Sequence, residues 1–304
     1  MTQTVLLAGA TGMFGSQIAR HLVDQPETRV RLLIRGGDAT QKRGALDLLL
    51  ARGSEIIEGD LADRVSLDRA TQGVDVIVSA VQGGPDIIID GQVALAEAGR
   101  RNGVRRILPS DYALDLFKAT PGEHLMFDMR RTADERIAGT GIEHVHVLQG
   151  AFMAMFGPGM GTIDYDSGVV TFWGDGTQPI DVTSVEDTAR MVARVALDRT
   201  VPSGKFAFAG DHISILGAAE VIEAQTGRRF ERRSLGSEAG LRAALAEAAK
   251  DTANPSKPVT LAYQLYMLTG QTALTELQNN RYPGLVLESF AQFAAQALPG
   301  RAVA

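Results

Sequence analysis

An α/β fold built on a doubly wound parallel sheet follows from three observations on this 304-residue sequence. A short apolar run, Val5 to Ala8, passes without a spacer into Gly9, Gly12 and Gly15, and then into a helical pattern at Ile18, Leu22 and Val23. Through the first half, near-continuous apolar runs alternate with helical patterns; such runs mean strands buried on both faces, hence parallel pairing and crossover helices. After Gly150 the texture changes to glycine-, proline- and methionine-rich stretches and then to helical patterns, which reads as a smaller, mostly helical unit.

Val5 to Ala8 is the first strand, and each glycine after it has a physical job. Gly9 permits the tight exit, Gly12 lets a pyrophosphate approach the backbone, and Gly15 lets the helix pack close to the sheet. The free N–H groups and dipole of the helix start then favour a phosphate. Placed between a strand and a helix, the glycine triplet points to dinucleotide binding rather than to an ordinary turn.

Val30 to Ile34 reads as the second strand, Leu46 to Leu50 as part of a helix, and Glu55 to Glu58 as the third strand, ending at Gly59-Asp60-Leu61. Asp75 to Ala80 is the fourth. Gln92 to Arg101 is helical, Arg106 to Ser110 is the fifth strand with its exit, and Glu143 to Leu148 the sixth. Ligands in such a sheet sit at the carboxyl ends of the strands.

Met153 to Gly161 reads as a loop. Val169 to Trp173 is a strand, and Thr183 to Asp198 a helix entered by Ser184 with Asp187 three residues on, close to a capping box. Lys205 to Ala209 is a strand, Ser214 caps a helix running to Gln225, and the remainder from Phe230 is mostly helical. The expected organisation is a dinucleotide-binding Rossmann domain over residues 1–156 plus about 183–212, and a substrate domain over 157–182 and 213–304.

With 45% hydrophobic and 22% charged residues the composition is that of a soluble globular protein. A formal charge of −6 argues against a nucleic-acid binder. Cysteine is absent, which removes disulfides, thiolate metal sites and cysteine nucleophiles and fits a cytoplasmic protein. No apolar stretch approaches the roughly 18 residues that span a bilayer, so no membrane is expected.

The tip of the second strand decides which nicotinamide cofactor is expected. An acid there would hold a free ribose 2′-OH; this strand ends Leu33-Ile34-Arg35-Gly36-Gly37, with Lys42 and Arg43 close behind. A guanidinium with a second cation nearby suits a 2′-phosphate, so NADPH is expected over NADH. Asp38 in the same loop is an objection, and a solvated charged loop is the alternative.

The spacing G-x-x-G-x-x-G at residues 9–15 resembles that of the extended and atypical short-chain dehydrogenases/reductases. Arg106-Ile107-Leu108-Pro109-Ser110-Asp111-Tyr112 narrows this. The chain resembles the isoflavone reductase-like, or NmrA-like, branch, which typically reads R-F-[LIV]-P-S-E-[FY]-G here. Gly59-Asp60-Leu61, Val78 to Val81, Gly150-Ala151-Phe152 and Arg281-Tyr282-Pro283-Gly284 fall in the same order and spacing. That branch includes NADPH-dependent reductases of phenylpropanoids, lignans and isoflavones, quinone-type reductases, and non-enzymatic redox sensors.

The resemblance implies that Gly9, Thr11, Gly12, Met13 and Phe14 wrap the pyrophosphate, with Gly15 completing the cofactor-binding turn, and that Arg35 and Lys42 grip the 2′-phosphate. Ala80, Val81 and Gln82 floor the ribose and nicotinamide, and Phe152 lies near the nicotinamide. The branch's reductases also carry a lysine in a context like F-x-x-K-x-x-x-R. Here that position is Arg130, three residues after Phe127. A lysine can share protons near neutral pH, whereas an arginine, with a pKa above about 12, cannot; Arg130 can orient the ribose or stabilise an oxyanion. The branch's asparagine before the aromatic pair is Gly150 here.

No Tyr-x-x-x-Lys pair exists. Tyr112, at the mouth of the fifth strand, is a candidate proton donor, with stacking as its alternative. His124 titrates in the useful range, its alternative being a loop histidine in solvent. Asp128 reads as a first-turn helix acid. His144 and His146 share one face of the sixth strand; without a third ligand in view, strand packing is preferred and no metal is expected. Met126, Met129, Met153, Met155 and Met160, with Tyr263, Tyr266 and Met267, read either as core or as a soft apolar pocket.

The expected function is an NADPH-dependent reductase passing hydride to an apolar, aromatic small molecule. The alternative is a non-catalytic sensor of NADP(H), which would need a protein partner; a homodimer stays open.

Overall fold

The computed structural model describes residues 2–36, 43–251 and 253–297. They fall into two compact units. The first comprises Met1–Tyr112, Met129–Val147 and Thr188–Phe206; the second comprises Ala113–Asp128, Leu148–Asp187 and Ala207–Ala304.

The elements run β1 (Gln3–Ala8), α1 (Met13–Val23), β2 (Thr28–Ile34), α2 (Arg43–Ala51), β3 (Glu55–Glu58), α3 (Arg64–Thr71) and β4 (Val76–Ser79). A π-helical turn, Asp86–Gly91, leads into α4 (Gln92–Arg101), then β5 (Arg106–Leu108), α5 (Leu125–Gly139) and β6 (Glu143–Leu148). After it come β7 (Ala151–Phe152), β8 (Ile163–Asp164), β9 (Val169–Phe172), β10 (Ile180–Thr183), α6 (Val185–Leu197), β11 (Gly204–Ala207) and β12 (Asp211–Ile213). The last described elements are α7 (Ile215–Thr226), β13 (Glu231–Ser234), α8 (Glu238–Ala248), α9 (Ser256–Thr269) and α10 (Phe290–Ala297).

A seven-stranded sheet in the order β11-β6-β5-β4-β1-β2-β3 organises the first unit. From β3 across to β6 every neighbouring pair is parallel. The chain winds outward from β1 in both directions, so the strand order reverses between β1 and β4, and it is beyond the carboxyl ends at such a reversal that open α/β sheets bind ligands. Val5, Leu6 and Leu7 are fully buried, as are Val76, Ile77 and Val78, which is the burial that near-continuous apolar strands require. Helices α3, α4 and α5 bring Leu67, Leu95 and Ile137 onto the same core.

Arg106 is a buried cation at the opposite, amino-terminal end of β5. Burial lowers its pKa, and Glu143 together with the carbonyl of Asp198, 2.8 Å from Nη1, holds it. Its role is to tie β5 to β6 and to the end of α6.

The second unit holds two three-stranded sheets, β12-β10-β7 and β13-β9-β8, beside helices α7 to α10. Its core gathers Phe127, Met153, Phe156, Tyr266, Met267 and Phe290. Methionines 153 and 267 are thus core residues, while Met160 is exposed. Ser214 caps α7 as expected, accepting from Gly217 N–H at 3.0 Å. Ser184 accepts from Asp187 N–H at 3.1 Å, and the Asp187 carboxylate accepts from Glu288 N–H at 2.7 Å.

The expectation of helix from Phe230 onward missed β13. Its residues Glu-Arg-Arg-Ser are all exposed, and it pairs with β9 through backbone alone, so no apolar alternation marks it. The sequence boundary at 156 also differs from the observed one. Contacts assign 113–128 and 148–187 to the second unit, because β7 pairs with β10 rather than extending the large sheet.

Candidate active site

The site grows from the turn after β1. Gly9 has φ +86°, and a Cβ there would lie 2.3 Å from the Ala80 carbonyl oxygen. A Cβ on Gly15 would lie 2.1 Å from the Gly9 carbonyl, and one on Gly12 3.3 Å from it. Gly12 N–H donates to that carbonyl at 3.0 Å, closing the turn. Each of the three glycines therefore answers a steric demand of this structure. Gly12 precedes α1, whose first turn carries no acid, so the positive end of the helix is left open to an anion. Met13 is exposed and Gly15 buried.

The strand beside it continues the floor. Ala80 N–H donates to the Ala8 carbonyl at 2.9 Å, carrying the β1–β4 pairing past Ser79 to the Ala80-Val81-Gln82 segment. Ser110, at the exit of β5, donates from Oγ to the Val81 carbonyl at 2.8 Å, and its N–H donates to the Gln92 side chain at 2.9 Å. Gln92 is fully buried at the start of α4 and also donates to the Ile88 carbonyl. Arg130, half-buried on α5, donates from Nε to the Ser110 carbonyl at 3.0 Å. The Tyr112 ring meets Phe14 edge-on, centroids 4.7 Å apart.

Of the expected residues, Gly9, Phe14, Ala80, Val81, Tyr112 and Arg130 are thus linked by direct contacts or through Ser110. Arg35 follows β2 directly and is exposed, as a grip on a 2′-phosphate would be. Lys42 lies outside the described residues. Phe152 and His124 belong to the second unit, where Phe152 is half-buried on β7.

His124 is not a solvent histidine. It is fully buried, its ring stacked 3.9 Å from that of Phe127 and edge-on to Tyr263 at 4.5 Å, and its Nδ1 accepts from Phe127 N–H at 3.1 Å. That nitrogen is occupied, and the aromatic cluster accounts for the residue. Asp128 behaves as a first-turn acid, accepting from Gly122 N–H at 3.0 Å. The Tyr112 hydroxyl is buried without a hydrogen-bond partner, and burial, aided by the Asp111 charge, raises its pKa. The phenol stays protonated and is a weak acid, suited to donating a hydrogen bond rather than a proton. Gly150 has φ +78°, and a Cβ there would lie 2.2 Å from the Asp181 carbonyl. No larger residue fits this backbone.

Sequence reasoning missed one cluster. His146, read as strand packing, accepts or donates through Nδ1 to Asp111 Oδ2 at 2.8 Å and lies 3.6 Å from Asp134 Oδ1. All three side chains are buried. The two acids come from the exit of β5 and from α5, so nothing in the local sequence around His146 announces them. Gln92 was also missed; its one signal is a polar residue in line with Leu95, Ala96 and Gly99 on the buried face of α4.

The sequence matches the NmrA-like family model over residues 1–252. The chain belongs to the NmrA-like family. Among curated relatives, pinoresinol reductase 1 of Arabidopsis thaliana is 29% identical over 245 residues, covering 76% of this chain and 77% of the relative. Phenylcoumaran benzylic ether reductase PT1 of Pinus taeda is 29% identical over half of each chain. Among solved structures, AtPrR2 with NADP+ and (+)pinoresinol superposes with a TM-score of 0.84 at 23% identity, covering 97% of this chain and 98% of that one. The leucoanthocyanidin reductase–NADPH complex from Vitis vinifera gives 0.82 at 21% identity, over 96% and 98%. At those identities the structures establish the shared Rossmann-like fold of this NmrA-like chain. Among the described residues no helix is long and apolar enough to cross a membrane.

Proposed function

We propose that this chain is an NADPH-dependent reductase that passes hydride to an apolar, aromatic small molecule of phenylpropanoid, lignan, isoflavone or quinone type, and that it works in the cytoplasm. The observation that carries the reading is the turn at Gly9, Gly12 and Gly15, where backbone packs so closely that no Cβ is accommodated at two of the three positions. A dinucleotide fits there: the exposed helix start and Gly12 backbone would hold the pyrophosphate, Arg35 the 2′-phosphate, and Ala80 to Gln82 the ribose and nicotinamide. The relatives in which this family's chemistry is named are reductases, which favours an enzyme over a sensor.

When bound, NADPH supplies the hydride. This chain's residues bind, orient and exclude water around it. Arg130, anchored on the Ser110 carbonyl, holds a guanidinium beside the sheet mouth, where it stabilises negative charge developing on a substrate oxygen. Tyr112 packs its ring against Phe14, and its buried phenol keeps its proton and gives none to the reaction. With Arg130 unable to deprotonate and His124 packed among aromatic rings, the proton that completes the reduction comes from water.

NADPH oxidation followed at 340 nm across pinoresinol-type lignans, isoflavones, enones and quinones tests this. Turnover above the background with at least one aromatic class is expected. Background rates throughout, with NADPH bound, would instead favour a sensor.

A further inference from the structure

The buried group at Asp111, Asp134 and His146 is used by no step above. Asp111 sits between Ser110, whose carbonyl anchors Arg130, and Tyr112, which packs on Phe14. Asp134 lies one helical turn beyond Arg130 on α5. His146 reaches between them from β6, 2.8 Å from Asp111 Oδ2 and 3.6 Å from Asp134 Oδ1. Both Asp134 carboxyl oxygens and Asp111 Oδ1 are buried without a hydrogen-bond partner. Two carboxylates this close in a buried site repel each other, and only Asp111 lies at hydrogen-bond distance from the imidazole.

We propose that the Asp111–Asp134–His146 cluster is a positioning device, which holds the Ser110–Tyr112 segment and Arg130 in place for cofactor binding only while it carries a single negative charge. The inference rests on the NADPH reading given above. Asp111 is the charged member, stabilised by the imidazole at hydrogen-bond distance. Asp134 is the member that keeps its proton: burial first, then the Asp111 charge and Glu135, raise its pKa, and the Arg130 cation opposes them. The charged and titratable groups facing it are Asp111 from the β5 exit, His146 from β6, with the His144 ring 5.2 Å behind it, and Arg130 and Glu135 from its own helix.

Losing the Asp134 proton puts a second negative charge against Asp111. The cheapest relief is to move Asp111, which carries Ser110 and Tyr112 with it, or to draw the Arg130 guanidinium away from the Ser110 carbonyl. Either movement disturbs the floor that Ser110 braces through Val81. Asp134, Asp111 and His146 are therefore positioning residues and touch no reacting atom.

Asp134→Asn keeps the shape of the protonated acid and cannot ionise. The test measures NADPH affinity of the full chain by calorimetry at several pH values, for wild type and for this variant. Wild-type affinity should weaken about tenfold between about pH 7 and about pH 11, one pH unit past the point where half of Asp134 is ionised, and the variant should hold its own pH 7 affinity to within about twofold over the same range. Asp134→Leu, equally unable to ionise, replaces the asparagine variant if the latter does not fold, with the same flat profile expected. Coincident profiles for wild type and variant overturn the proposal while leaving the reductase reading intact. A stoichiometric divalent metal in the purified protein overturns it as well, because the cluster would then be a ligand set. No NADPH binding by the wild type at pH 7 overturns the functional reading, and this proposal with it.

Discussion

Arg130 donates from Nε to the carbonyl oxygen of Ser110 over 3.0 Å, twenty residues back in the chain. The bond joins α5 to the exit of β5 at the open end of the sheet. It fixes a guanidinium where the family resemblance leads one to expect a lysine.

Arg130→Ala should therefore cost turnover more than cofactor affinity. Removing a fixed electrostatic donor typically lowers kcat by about 10²-fold or more, whereas the glycine turn and Arg35 still hold the dinucleotide. Steady-state kinetics at saturating NADPH, beside calorimetric NADPH titration, separates the two. Arg130→Lys should keep part of the rate and add the titration of the lysine itself to the pH profile of kcat at saturating NADPH.

Gly9→Ala puts a methyl 2.3 Å from the Ala80 carbonyl at a φ of +86°. The strain should lower stability by about 1–3 kcal/mol and abolish NADPH binding, because the turn can relax only by moving off β4. Thermal melts and NADPH titration check it. Gly53→Ala also carries a positive φ but meets nothing within 4 Å, so it should melt slightly earlier and bind normally.

Arg35→Ser should weaken NADPH by about 10- to 100-fold, the loss of one or two charge-assisted bonds of about 1.5–3 kcal/mol, and leave NADH binding unchanged. Equal loss for both cofactors would place Arg35 elsewhere than at the 2′-phosphate.

Stability should respond to pH at two buried acids with opposite sign. Glu223 accepts from Phe230 N–H at 2.7 Å and pairs with Arg232, whose hydrogen bonds outweigh burial and lower its pKa to about 2. Its contribution is present above the ordinary carboxylate range and is lost as pH falls toward about 2. Glu223→Gln should cost about 1.5–3 kcal/mol at neutral pH and nothing in strong acid. Asp134 is raised instead, so the folded state loses stability as pH climbs out of the acid range. Asp134→Asn should melt above wild type near neutral pH, with the gap closing toward about pH 4. Denaturation series across pH read both.

Legibility in the sequence followed burial. β1, β6 and α4 stood out because Val5-Leu6-Leu7 is wholly apolar, Val145, Val147 and Leu148 flank His146 with buried apolar side chains, and Leu95, Ala96 and Gly99 repeat at helical spacing. β13 did not, since an exposed edge strand of charged residues leaves no periodic trace. The π-helical turn at Asp86–Gly91 was equally silent. At the site, the glycine turn was readable because its chemistry is local. The bracing of Val81 by Ser110 and Gln92, and the meeting of Asp111, Asp134 and His146, are tertiary events among residues with no sequence relation, and only the folded chain displays them.

The most direct test of the central claim is calorimetric titration of the purified protein with NADPH and, separately, with NADH. One site per chain is expected, with NADPH bound at least about tenfold more tightly, the difference one charge-assisted contact to the 2′-phosphate supplies. Absence of any heat from NADPH at millimolar concentration would contradict the account outright, and tighter binding of NADH would contradict the role given to Arg35.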